Sequence, residues 1–371
     1  MGRIALQCPP VSSFPQLLER LLAREELPAE AIEQLFGAIL DGALTQAQIA
    51  AAAVALRAKG ETAGEIAAAA RALRARAKTI DAHVEGPILD TCGTGGDSAA
   101  TFNVSTLAAV VVAAAGVHVA KHGNRAISSR SGSADLLEAL GIPIEDGGDH
   151  AGFDARLRAC LERDRIAFFF APRHHSALRH AAPVRRELGV RTIFNLLGPL
   201  SNPAGATHQL LGVFDDARRH AFAEVLRLLG VRAAWVVHGL PVDGAPRGLD
   251  EVSPAGPTHV SELRADGTIV DRTVEPRDAG LEPVALASLA GGDAIANAAI
   301  ARSVLAGERN GARVAVVLNA ACALLLAGRA SDLREARERA EAAIDRGDAA
   351  ATLDAWREHM RGDTGGEGAP S

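Results

Sequence analysis

The first eighty residues read as helices only. Ser13-x-x-Gln16 is a capping box, and Leu17, Leu18, Leu21 and Leu22 follow it at helical spacing. In such a box each side chain satisfies an orphan N–H of the first turn. A second helix is expected from Pro28 to Leu40, because proline suits the first helical turn, and Asp41-Gly42 stops it. Thr45-x-x-Gln48 and Thr62-x-x-Glu65 repeat the capping pattern, with Lys59-Gly60 ending the helix between them. Four short helices without a strand make a small helical domain, and Ala-rich faces let those helices approach closely.

After Ile80 the pattern changes. Short apolar runs at Pro87 to Thr91, Val117 to Lys121, Arg165 to Phe170, Gln209 to Phe214 and Ala233 to His238 read as buried strands. Helical patterns lie between or after them, at Asn103 to Ala115, Gly132 to Leu140 and about 217–229, 293–306, 311–327 and 331–345. Strands alternating with helices predict an α/β unit with a mostly parallel sheet covered on both faces. The expected division is a helical domain over 12–82, an α/β domain over 83–361 and a frayed tail over 362–371. A polar helical stretch at about 173–190 returns to the first domain.

Composition narrows the class. The chain has 371 residues, enough for two domains at about 150 each, with 48% hydrophobic and 23% charged residues. That balance excludes a disordered chain. There is no apolar run long enough for a membrane span, and Met1 to Pro15 lacks the basic flank and apolar core of a signal peptide. A net charge of −6 argues against a general nucleic-acid binder. Cys8, Cys92, Cys160 and Cys322 show no CxxC spacing and read as reduced, buried thiols. The expectation is a cytoplasmic enzyme. Only Lys59, Lys78 and Lys121 are lysines, so arginine supplies 36 of the 39 basic side chains, and there is no tyrosine.

Chemistry concentrates in four segments. Asp90-Thr-Cys-Gly93-Thr-Gly95-Gly96-Asp97 follows the first strand, and its glycines let backbone N–H groups approach an anion. Alone, it reads equally as a tight turn. Ser98 stands where GxGxxG needs glycine, and no GxxxxGK[ST] occurs, which disfavours dinucleotide and P-loop readings. Asn103-Val104-Ser105-Thr106 opens the next helix, as an N-cap or as an anion site. Lys121-His122-Gly123-Asn124-Arg125, then Ser128, Ser129, Ser131 and Ser133, leave the second strand at its C-terminal end, where open parallel sheets bind ligands. Three such loops within 45 residues favour a phosphate-rich ligand. Asp250-Glu251, in a loop, is either a solvated acidic pair or a holder of Mg²⁺. His174, His175 and His180 lack the spacing and partners of a zinc site.

Taken in order, Gly93-Thr-Gly-Gly-Asp97, Asn103-x-Ser-Thr106, Lys121-His-Gly-Asn-Arg125, Ser131-Gly-Ser-Ala-Asp135 and Arg191-Thr-Ile-Phe-Asn-Leu-Leu-Gly-Pro199 resemble the motifs of the anthranilate phosphoribosyltransferase family. Asn202-Pro-Ala204, Gly248-x-Asp-Glu251 and Gly291-Gly-Asp-Ala294 with Asn297 continue the likeness, which covers about residues 12–360. The resemblance implies a small helical domain joined to a large α/β domain, with the site in the cleft between them and a homodimer through the helical domain. It implies transfer of phosphoribose from 5-phosphoribosyl-1-pyrophosphate (PRPP) to anthranilate with two Mg²⁺ ions, in tryptophan biosynthesis. By the same likeness Gly93, Gly96, Asp97, Thr101, Asn103, Ser105, Thr106, Lys121 and Ser133 hold PRPP, and Val104, Gly123, Arg125, Ser128 and Ser129 are further substrate-binding positions. Ser105, Asp250 and Glu251 place the metal. Asn124 and Arg185 contact anthranilate, with His122 nearby as the one catalytic candidate.

Two departures from the family pattern stand out. His175-Ser176 occupies the place of a usual His-Pro, and Leu240 to Arg247 reads as extra sequence before the acidic pair. Two rivals are a pyrimidine nucleoside phosphorylase, whose motifs differ at the Gly-rich and Lys-His-Gly-Asn segments, and a nucleic-acid-binding relative, which the acidic balance weighs against.

Overall fold

The computed structural model describes residues 13–95, 100–126, 130–240, 242 and 248–362. They form two compact units, a helical one of 13–76 with Ala177–Leu197, and an α/β one of 77–176 with the chain from Gly198 on.

The helical unit starts with α1 (Phe14–Leu22), α2 (Ala29–Leu40), α3 (Gln46–Lys59) and α4 (Ala63–Arg74). The capping pattern is visible in its hydrogen bonds. Gln48 and Glu65 each accept from the backbone N–H three residues earlier, at 2.9 and 3.0 Å, while Thr45 and Thr62 return the bond. Glu65 does more than cap. Fully buried, it also accepts from Leu27 N–H at 3.0 Å and pairs with Lys59 at 2.7 Å, tying α3 and α4 to the start of α2. Ala67 to Ala70 are wholly buried, and α2 and α4 pack together, with Arg71 reaching Glu33 at 2.6 Å.

The α/β unit opens with β1 (Ile88–Gly93), α5 (Val104–Ala114), β2 (His118–Gly123), α6 (Ser133–Ala139) and α7 (His150–Ala159), which ends in a π turn. Then come β3 (Ile166–Phe170) and α8 (Ala171–His174). At Ala177 the chain joins the helical unit, where α9 (Ala182–Leu188) packs on α3 and Phe194 meets Phe36 at 5.6 Å. Back in the α/β unit follow β4 (His208–Gly212), α10 (Arg219–Leu228), β5 (Ala233–Gly239), β6 (Thr258–Leu263) and β7 (Ile269–Val274). Four helices close the described chain: α11 (Ala294–Leu305), α12 (Gly311–Leu326), α13 (Leu333–Asp345) and α14 (Asp348–Arg361).

The seven strands are ordered β3-β2-β1-β4-β5-β6-β7, parallel from β3 to β5 and antiparallel at β5–β6 and β6–β7. The chain winds outward from β1 to β3, then crosses to β4 on the other side. The carboxyl ends of β1 and β4 therefore flank a topological switch point, where open α/β sheets bind ligands. Beneath it α5 and α12 pack together, both buried on nearly every side.

Several expectations need correction. The expected boundary at 82/83 falls instead at Arg76, because Lys78 and Ile80 donate their N–H groups to His174 O and Pro203 O and Ile80 joins the α/β core. The returning segment is Ala177–Leu197 rather than 173–190, since Arg173 is held by Asp146 and Asp154 of the α/β unit. The antiparallel hairpin β6–β7 and helices α7 and α14 went unread. Cys160 and Cys322 are buried free thiols, but Cys92 is only half-buried. Among the described residues no helix is long and apolar enough to cross a membrane.

Candidate active site

At the switch point β1 and α5 meet the end of β2. Lys121, 2% exposed, donates from Nζ to Thr91 O at 2.5 Å and to Ser105 Oγ at 3.3 Å. Thr91 Oγ1 in turn donates to Ser105 O at 3.1 Å. One ammonium thus joins the end of β1 to the first turn of α5. Burial pulls its pKa below the ordinary lysine range, opposed by the nearby carboxylate of Asp90. Asp90 is fully buried, accepts from His122 N–H at 3.1 Å, and is pushed up to about 6 by desolvation.

The first turn of α5 sorts its residues by face. Val104 and Thr106 are buried in the core, whereas Asn103 and Ser105 are half-buried. Asn103 donates to Ser131 O at 3.2 Å, which ties this helix end to the serine-rich loop. Thr101 bridges to Ala290. Ser133 Oγ donates to Asn124 O at 3.3 Å, so the loop after Gly123 is closed onto α6. Arg125 is taken up by carboxylates, Glu138 at 2.9 Å, Glu145 at 3.0 Å and Asp135 at 3.4 Å.

The acidic pair arrives from far along the chain. Gly95 N–H donates to Asp250 Oδ2 at 2.6 Å, and Ser105 N–H to Glu251 Oε1 at 3.1 Å. The two adjacent carboxylates diverge, one to the loop after β1 and one to the N-terminus of α5, where a helix favours negative charge. Gly93 and Gly212 are register partners at the ends of β1 and β4. A Cβ at Gly93 would strike the Asp250 carboxylate, and one at Gly212 would overlap the Asp250 carbonyl. Both strands end in glycine because Asp250 crosses them there.

Three imidazoles lie beside this crevice. His122 and His175 meet edge-on with ring centroids 5.1 Å apart, and His174 Nδ1 lies 2.6 Å from Lys78 O. All three are buried. Desolvation lowers His174 and His175 to about 4, and drives His122 well below its ordinary value with help from the other two. At neutral pH His122 is an uncharged imidazole. Among the described residues no three His, Cys, Asp or Glu side chains gather to hold a metal ion.

The structure therefore brings Gly93, Ser105, Lys121, Asp250 and Glu251 into one constellation, with Asn103 adjoining it. Gly96, Asp97, Ser128, Ser129 and most of the extra segment before Gly248 lie outside the described residues. Arg185 stands in α9 of the helical unit, its pKa lowered by burial, and no carboxylate among the described residues pairs with it. Sequence reasoning assigned no role to Thr91, Gly95, His175 or Asn297. Asn297 is 2% exposed, accepts from Gly292 N–H at 2.8 Å and donates to Asn103 Oδ1 at 3.0 Å. Its signal was its place in the motif Gly291-Gly-Asp-Ala294 with Asn297, which carried no role until the structure set it against Asn103.

Two family models match this chain. Residues 85–350 fit the α/β domain of a glycosyl transferase family, and residues 15–77 fit its helical bundle domain. Anthranilate phosphoribosyltransferase of Myxococcus xanthus is 50% identical over 343 residues, covering 92% of this chain and 98% of the relative. The enzyme of the same name from Roseiflexus castenholzii is 51% identical over 331 residues, covering 89% and 92%. The crystal structure of anthranilate phosphoribosyltransferase from Thermus thermophilus superposes with a TM-score of 0.84 at 41% identity, over 93% of this chain and 99% of that one. The Saccharomyces cerevisiae enzyme in complex with PRPP and Mg gives 0.83 at 27% identity, over 94% and 98%.

Proposed function

Because the chain belongs to the anthranilate phosphoribosyltransferase family, we propose that the crevice at the ends of β1 and β4 is where it binds PRPP. The chain is a pentosyltransferase of tryptophan biosynthesis: it transfers 5-phosphoribose from PRPP to the amine of anthranilate, giving N-(5-phosphoribosyl)anthranilate and pyrophosphate. The observation that supports this placement best is the convergence of Asp250 and Glu251 on Gly95 and Ser105.

The donor set fits Mg²⁺. Two carboxylates and the Ser105 hydroxyl are hard oxygen ligands, the class this ion prefers. Because Asp250 and Glu251 address different points, we read them as serving two ions. Mg²⁺ held by Asp250, Glu251 and Ser105 would supply positive charge to neutralise the departing pyrophosphate. The chain itself does the positioning. Lys121 uses two of its three N–H groups on Thr91 O and Ser105 Oγ, and the third is the one it would offer to a phosphate. Gly93, Asn103, Gly123 and Ser133 shape the backbone around it; Gly96, Asp97, Ser128 and Ser129, outside the described residues, are given to the substrate by the family likeness. Arg125, read as a further substrate-binding residue, is engaged by Asp135, Glu138 and Glu145, which brace its loop. The anthranilate amine is nucleophilic when neutral, so a strong base is not required. His122, uncharged and next to Asn124, orients the amine, and the planar fork of Arg185 takes the carboxylate.

A homodimer through the helical unit is part of the same proposal. Leu22 and Val54, 62% and 44% exposed, are large apolar side chains left open on α1 and α3, which pack together. Anthranilate fluorescence tests the function directly: it should fall only when PRPP and Mg²⁺ are both present. A signal unchanged across a range of Mg²⁺ concentrations overturns the reading.

A further inference from the structure

One side chain outside the crevice holds the acidic pair in place. Asn319 lies in α12 among Val316, Val317, Leu318, Ala320 and Ala321 and is 1% exposed. An amide among such neighbours is costly unless its hydrogen bonds are made. Here Oδ1 accepts from Val252 N–H at 3.0 Å, and Nδ2 donates to Val252 O at 2.9 Å and to Ala315 O at 3.0 Å. A single amide thus clasps both backbone groups of one residue, as a neighbouring strand would.

Val252 directly follows Glu251. On the other flank, Leu249 exchanges both backbone bonds with Gly239 of β5, at 2.9 Å each. The dipeptide Asp250-Glu251 is therefore strung between two clamps of two bonds each. One clamp is made by backbone groups, with glycine at 239 leaving room for the crossing segment. The other is the Asn319 amide, beside which Ser253 N–H donates to Thr258 Oγ1 at 2.8 Å.

We propose that Asn319 is a positioning residue for the transfer reaction, setting where Asp250 and Glu251 stand relative to Gly95 and Ser105. The proposal rests on the reading of those carboxylates as Mg²⁺ holders. Asn319 meets neither substrate nor ion. A leucine or methionine would suit its apolar surroundings, but neither can hold Val252 N–H and C=O at once.

The test compares the unsubstituted chain with Asn319→Ala, Asn319→Asp and the double variant Asp250→Asn, Glu251→Gln. Mg²⁺ activation curves are measured together with KM for PRPP and for anthranilate. Asn319→Ala should raise the Mg²⁺ concentration for half-activation about tenfold, the usual effect of losing an outer-shell partner, with anthranilate KM within about twofold. In Asn319→Asp the carboxyl donates to Val252 O only when protonated. Its half-activation, relative to the unsubstituted chain at each pH, should therefore fall back as the pH is lowered from 8.5 to 6. An unchanged Mg²⁺ response in the Asn319 variants, with a strong effect in the double variant, overturns the proposal and leaves the metal reading standing. An unchanged response in the double variant overturns both. Should the Asn319 variants not fold, amide exchange of the unsubstituted chain decides. Val252 N–H exchanging as slowly as the core of α12 supports the clasp, and fast exchange sinks it.

Discussion

The two walls of the crevice are built by different means. The near wall, Asp90 to Arg125, is contiguous in sequence, and a single β-α-β unit presents it. The far wall, Asp250-Glu251, reaches Gly95 from 155 residues away. Strand pairing and the first turn of α5 place most of the near wall's backbone, and Lys121, Asp90 and Asn103 tie its parts together by side-chain hydrogen bonds. The far wall depends on close fits: two glycines with no room for a methyl group, and one buried amide. Its tolerance for substitution should be correspondingly lower.

The largest effect is expected from removing the far wall's charge while keeping its size. Asp250→Asn with Glu251→Gln should lower kcat roughly a thousandfold, read from anthranilate fluorescence at saturating substrates. A double variant retaining a tenth of the activity would place the carboxylates outside the chemistry. Gly212→Ala comes next. Its Cβ falls on the Asp250 carbonyl, and a displacement of about 1 Å there should cost on the order of a hundredfold in kcat/KM. Normal kinetics would mean that the crossing gives way freely.

The near wall should lose less from a single change. Asn297→Ala frees the Asn103 amide, which still donates to Ser131. A rise of about tenfold in KM for PRPP is expected, with kcat changed less. Equality with the Gly212 variant would erase the distinction between the walls. The smallest effect is on stability. His174 and His175 titrate at about 4 in the folded chain against an ordinary 6.5, so the unfolded chain binds protons first as pH falls. Their contribution is complete above about pH 6.5 and is lost progressively toward pH 4. Asp90, raised to about 6 from 3.8, works in the opposite sense. With His122 also depressed, three imidazoles outweigh one carboxyl. Between pH 7 and 5.5 the two histidines at about 4 lose roughly three times what Asp90 returns. With His122 acting in the same sense, the net loss should be about 2–3 kcal/mol, roughly 5 °C in Tm by calorimetry. A Tm that rises between pH 7 and 5 would reverse the assignment.

Much of this was legible in the residues. Thr45, Gln48, Thr62 and Glu65 announce their helices because a capping box is a contact across three residues. Gly93, Ser105 and Lys121 were readable for the same reason, since strand, loop and helix follow each other directly. The hairpin β6–β7 was not. Thr258 to Leu263 and Ile269 to Val274 carry Glu262 and Arg272 at half-buried and Asp271 at exposed positions, and strands toward a sheet edge lack the unbroken apolar run that marked the parallel ones. Asn319 was equally silent, because one amide in an apolar helix says nothing of what it meets.

The sequence by itself determined the local elements, the order of the motifs and the chemistry each can offer, since these depend on neighbours within a turn or a strand. It also offered two incompatible readings of Asp250-Glu251, a solvated acidic pair or a metal holder. Only the tertiary structure chose what surrounds that pair. Winding the sheet outward from β1 and back to β4 opened the switch point, and paired glycines let the chain cross it. The β5 backbone and Asn319 then fixed the crossing, because a carboxylate acquires a role only from the groups that folding places within hydrogen-bond reach.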